Sequence, residues 1–80
     1  MMMKSIILYT KDNCPLCEEA LELLELLAVK EAVEIRNIYE KDAWLMEYQL
    51  MIPVIVIADK KLYGAQINYA VLEEIVHNLN

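Results

Sequence analysis

The chain has 80 residues, 59% of them apolar, with one glycine, two prolines and no phenylalanine. Its net charge of −6 repels nucleic acid, and no basic stripe offsets it. No run approaches the ~18 apolar residues of a membrane span, and the start lacks the longer apolar region and small-residue site of a secretory leader, so one cytoplasmic domain over 1–80 is expected.

In chain order, Met1–Met3 reads as a frayed end. Ser5 to Tyr9 is a short apolar run that predicts a buried strand. Lys11-Asp12-Asn13 is polar and turn-like. Cys14 stands where a helix N-cap would, and Pro15 at the favoured first helical position. From Leu16 to about Ala28 the pattern is helical: Glu18, Glu22 and Glu25 share one face, and Leu16, Ala20, Leu23, Leu24 and Leu27 the opposite one. Val33, Ile35 and Asn37 alternate with Glu34 and Arg36, which predicts a strand with one wet face.

Asp42 is the candidate cap of a second helix reaching Gln49, with Trp44, Leu45 and Tyr48 on its apolar side. Met51-Ile52-Pro53 breaks that pattern. Val54 to Ile57 is β-branched throughout and predicts a strand buried on both faces. A tight turn is expected at Asp59-Lys60, then a returning edge strand over Lys61–Tyr63 that ends at Gly64. Asn68 is the candidate cap of a last helix carrying Val71, Leu72, Ile75, Val76 and Leu79 as an apolar stripe. His77 sits near the end of that helix, where a cation suits the dipole. The order β-α-β-α-β-β-α makes this an α/β chain.

The chemistry concentrates at Cys14-Pro15-Leu16-Cys17, which holds both cysteines of the chain. A Cys-x-x-Cys at a strand-to-helix junction reads as a thiol–disulfide redox site. The thiolate is the nucleophile in such exchange. A sulfur at a helix N-terminus faces unpaired N–H groups and the positive end of the dipole, a setting that brings thiols from ~8.5 down to about 3.5–7.5. Cys17, one turn on, is the natural resolving thiol. Lys11, three residues before Cys14, adds positive potential or is simply a solvated loop lysine. The same two cysteines could instead hold zinc or copper in a binding module or metal carrier, or be incidental.

The segment Lys11-Asp12-Asn13-Cys14-Pro15-Leu16-Cys17 after a strand resembles the active-site segment of glutaredoxins, a family with a thioredoxin fold. Ile52-Pro53 before a strand is similar to that family's cis-proline loop. Gly64 to Asn68 lies where the family opens its last helix. The resemblance, closest to small glutaredoxin-like proteins of bacteria and archaea, implies a four-stranded mixed sheet flanked by three helices. It implies a dithiol–disulfide oxidoreductase or electron carrier with Cys14 as nucleophile and Cys17 as resolving thiol. Lys11, Pro15, Leu16, Ile52 and Pro53 would then form the substrate side, Ile52 offering its backbone to an extended peptide or to glutathione.

A monomer is expected, acting on a disulfide-bearing protein or small molecule without metal or organic cofactor. Glutathione or a flavoprotein disulfide reductase would reset it. An iron–sulfur cluster bridged between subunits is disfavoured, because family members that carry one usually have Ser or Gly replacing the second Cys or the Pro. Leu16 replaces the family's usual Tyr, Met51 stands where Thr or Ser is common, and 65–68 lack the second glycine and the acidic pair. Redox chemistry is therefore better supported by the residues than dependence on glutathione.

Overall fold

Continuous apolar runs build the central strands, mixed sequences build the edge strands, and an apolar residue every third or fourth position builds the helices that cover them. The computed structural model describes residues 6–78. The expectations for Met1–Met3, Ser5 and Leu79 lie outside the described residues. Four strands form, β1 (Ile6–Thr10), β2 (Val33–Asn37), β3 (Val54–Ile57) and β4 (Lys60–Tyr63), with three helices, α1 (Pro15–Leu26), α2 (Asp42–Tyr48) and α3 (Tyr69–His77). Single 3₁₀ turns at Lys30–Ala32, Ile38–Glu40 and Gly64–Gln66 join them. The sheet order is β2-β1-β3-β4, with β1 parallel to β2 and antiparallel to β3, and β3 antiparallel to β4. The parallel pair requires a crossover, and α1 supplies it. This is the expected mixed sheet with three helices.

Alternation along the strands gives each face its own core. On one face Ile6, Leu8, Val33, Ile55, Ile57 and Leu62 meet Ala20 and Leu24 of α1 and Leu72 and Ile75 of α3. On the other, Tyr9, Ile38, Tyr48 and Val54 are buried, with Trp44 and Leu45 of α2 packed against them. β3 is accordingly enclosed on both sides. Tyr9 stacks on Tyr48 with ring centroids 4.1 Å apart and meets Trp44 edge-on at 5.8 Å. The Arg36 guanidinium lies 5.0 Å from the Trp44 ring centre and donates to Tyr9 Oη at 3.0 Å. It also pairs with Glu34.

Several local expectations are corrected. Ile35 is exposed, on the edge strand β2, where it borders a small hollow beside α1 instead of joining the core. Leu16, expected on the buried face of α1, is 62% exposed. The inward row is Cys17, Ala20 and Leu24, at the i, i+3, i+7 spacing, and Leu16 lies to one side of it. The cap of α2 is Lys41, without a side-chain hydrogen bond, and Asp42 is the first helical residue instead. The turn expected at Asp59-Lys60 falls one residue earlier. Ala58 and Asp59 both have positive φ, and Ile57 pairs with Lys60. That is the two-residue hairpin geometry whose twist matches the flanking strands, here made without glycine.

α1 stops at Leu26 rather than near Ala28. Ala28 adopts φ 59°, its N–H donates to the Glu25 carbonyl at 3.0 Å, and the Val29 N–H donates to the Leu24 carbonyl at 3.2 Å. This pair of bonds closes the helix as a glycine would, with alanine in the left-handed position. α3 begins as expected, with Asn68 Oδ1 accepting the Val71 N–H at 3.0 Å.

Candidate active site

The loop between β1 and α1 brings the cysteines to the C-terminal end of β1. Asn13 takes φ 55°, a conformation asparagine tolerates. Asn37 at the end of β2 braces this turn: its Nδ2 donates to Asp12 Oδ1 at 3.2 Å while its Oδ1 accepts the Tyr39 N–H at 3.0 Å. Cys14 then caps α1 in extended conformation, with Pro15 at the first helical position, where a missing N–H costs nothing.

Cys14 and Cys17 are joined by a disulfide, their Cα atoms 5.2 Å apart. Cys14 Sγ accepts the Cys17 N–H at 3.2 Å, and the Cys14 carbonyl accepts from the N–H groups of Cys17 (3.0 Å) and Glu18 (3.1 Å). The sulfur of Cys14 is thus the side-chain acceptor of a twelve-residue helix, at its positive end. Both cysteines are buried, Cys14 at 8% exposure and Cys17 at 4%.

The expected site residues divide between two hollows. Lys11, Cys14 and Cys17 line a small pocket of about 120 Å³ together with Glu18 and Ile35. Leu16, Ile52 and Pro53 line a groove of about 640 Å³. Pro15 lines neither and is exposed. The Ile52–Pro53 peptide is cis, and Pro53 is buried. At about 100° per residue, Leu16, Glu19, Leu23 and Leu26 lie on one flank of α1, and Cys14, Cys17, Glu18 and Leu21 on the other. The motif therefore faces two ways, with its sulfurs toward the small pocket and Leu16 toward the groove.

Leu16, Ile52 and Pro53, expected on the substrate side, share this groove, while its extension along α1 to Leu26 is not legible in the sequence. Its far wall comes from residues 50–53, Tyr63 and Ile67, which meet α1 only through the fold. One signal existed in the helix itself. Leu26 lies four residues after Glu22 and seven after Glu19, so it is an apolar residue on a carboxylate stripe. No group of three or more His, Cys, Asp or Glu that could hold a metal ion occurs among the described residues. No helix among them is long and apolar enough to cross a membrane.

Comparison with known proteins agrees with this geometry. The family described as Glutaredoxin-like domain (DUF836) matches residues 5–79. A search of curated proteins finds no match. Among solved structures, a structural-genomics target protein from X. campestris superposes with TM-score 0.77 at 24% identity, covering 91% of this chain and 96% of its own. The thioredoxin-like protein BC3987 gives 0.71 at 25% identity, over 94% and 97% of the two chains. A glutaredoxin from Archaeoglobus fulgidus gives 0.67 at 23% identity, over 91% and 86%.

Proposed function

This chain belongs to the glutaredoxin-like domain family, and we propose that it is a dithiol–disulfide oxidoreductase working through Cys14 and Cys17. The observation that carries the reading is the position of Cys14: a disulfide-bonded N-cap whose sulfur already accepts a backbone N–H from Cys17. Once the pair is reduced, the same N–H and the helix dipole favour a thiolate there, and the thiolate is the attacking species.

In the reaction, the Cys14 thiolate attacks one sulfur of a substrate disulfide. The substrate S–S bond breaks, a mixed disulfide forms on Cys14, and the other substrate sulfur leaves as a thiolate that takes up a proton. Cys17, having lost its proton to solvent, attacks Cys14 Sγ, and the second substrate thiolate leaves and is protonated. Two electrons and two protons reach the substrate, and Cys14–Cys17 is left as the disulfide. Cys17, buried behind Cys14 on the same flank of α1, suits the resolving role. Lys11, which lines the same small pocket, adds positive potential near the sulfurs. Glutathione or a flavoprotein disulfide reductase returns the pair to the dithiol in the cytoplasm.

The test is a titration in glutathione redox buffers with acid quenching, thiol trapping and intact mass. The expected result is reversible loss of two hydrogens in the native protein and a mixed disulfide held on Cys14 in Cys17→Ser. Cys14→Ser should lose disulfide reductase activity. A pair that never cycles, or that retains stoichiometric zinc or copper in protein purified without chelator, would replace this reading with that of a metal carrier.

A further inference from the structure

We infer that the groove beside α1 makes the substrate a protein, and that it selects a disulfide flanked by a short extended segment that is both apolar and positively charged. This rests on the oxidoreductase reading above and names the substrate class for that site. The groove starts at Leu16, between the two cysteines in sequence, and runs along α1 to Leu26. Ten residues of helix span about 15 Å, which matches four or five residues of extended chain. Its volume of about 640 Å³ lies within the range of specific binding clefts.

The lining is chiefly apolar and much of it is open to solvent. Leu16 is 62% exposed, Leu26 71% and Leu50 96%. Leucines left this exposed around one concavity mark a recognition surface more than a packing defect. Glu19 and Glu22 stand in the same wall, and no lysine, arginine or histidine lines the groove. Among the described residues neither glutamate is ion-paired.

An occupant must therefore bury apolar side chains and answer two carboxylates. Glutathione, a small peptide with two carboxylates and a net negative charge, does neither. A second copy of this chain, itself at −6, would approach with like charge. A polypeptide carrying leucine or isoleucine beside lysine or arginine satisfies both demands.

The experiment uses two disulfide-bonded peptides that differ only in the five residues on one side of the cysteine, Leu-Lys-Ile-Arg-Leu against Ser-Glu-Ser-Glu-Ser. A small neutral disulfide measures the chemistry alone. The reduced protein should turn over the basic-apolar peptide about tenfold faster than the acidic one in kcat/KM, as two carboxylates and a few buried side chains suggest. The preference should shrink as salt rises. Glu19→Lys/Glu22→Lys should reverse its sign, and Leu26→Ser, which removes apolar contact without adding charge, should lower it.

Equal rates for the two peptides, alongside reduction of the neutral disulfide, overturn the groove and leave the oxidoreductase reading standing. No reduction of any disulfide overturns the oxidoreductase reading. In that case, binding of the fluorescently labelled flanking segments to Cys14→Ser/Cys17→Ser still judges the groove, with preference for the basic-apolar segment supporting it and equal binding sinking it. A dimer in sedimentation that Leu26→Asp dissolves would assign the groove to a second copy and overturn the proposal.

Discussion

On the α1/α3 side of the sheet the buried residues are aliphatic, with Ile6, Leu8, Leu24, Ile55 and Leu72 almost fully enclosed. On the α2 side Tyr9, Tyr48 and Trp44 join aliphatic residues such as Ile38 and Val54, and cations sit on the rings: Arg36 between Trp44 and Tyr9, Lys41 4.9 Å from the Trp44 ring centre and Lys61 5.2 Å from that of Tyr48. The helix that carries the cysteines is anchored on the first side alone. Its position is held by burial, which responds little to pH or salt. The second side adds charge–ring and hydrogen-bond contributions that do respond. The candidate site thus rests on the less condition-sensitive half of the molecule.

The contrast can be broken most forcefully at Leu24. Leu24→Ala should cost about 2–5 kcal/mol in denaturant unfolding, with a pH profile parallel to that of the native protein. A salt-dependent loss there would undo the distinction. Arg36→Met, on the other face, should cost about 1 kcal/mol through the lost Tyr9 hydrogen bond and ring contacts, and the loss should diminish at high salt. Ala28→Gly should stabilise by about 0.5–1 kcal/mol, since a left-handed residue closes α1.

Two smaller effects depend on pH. Burial pushes the Tyr48 hydroxyl above its ordinary value, and the hydrogen bond to Glu47 raises Lys61. Stability from groups raised on folding is complete below their unfolded values and lost as pH rises through the folded ones, from about pH 10 upward. Tyr48→Phe should therefore flatten the alkaline limb of the stability profile. Glu47, held below its ordinary value chiefly by the hydrogen bond from Lys61, acts on the opposite limb. Its contribution is present above about pH 4.3 and fades as the solution becomes more acidic. This pair lies at the surface, so Glu47→Gln should move the acid limb least of all these variants.

Much of this architecture is legible from residue pattern alone, for reasons local to the chain. Cys14 and Pro15 open α1 and Asn68 opens α3 because caps are chosen by short-range chemistry. Val54–Ile57 is buried on both faces because nothing polar interrupts it. What escapes the pattern is set by tertiary context. Ala28, Ala58 and Asp59 take positive φ without being glycine, so the end of α1 and the register of the hairpin give no compositional sign. Leu16 and Ile35 look like core residues, and only the placement of α1 over the sheet decides that they are not. The groove unites residues up to about fifty positions apart in sequence, and no spacing rule joins them.

Trp44 is the single tryptophan of the chain, and it sits on α2, flanked by Arg36 and Lys41. Its emission is consequently a native optical probe of the aromatic layer, while α1 and α3, which dominate the helical circular dichroism, lie across the sheet. Two spectroscopic signals of one unlabelled protein therefore read the two layers separately. Whether their melting curves superimpose measures directly how cooperatively the strands between them bind the molecule into one folding unit.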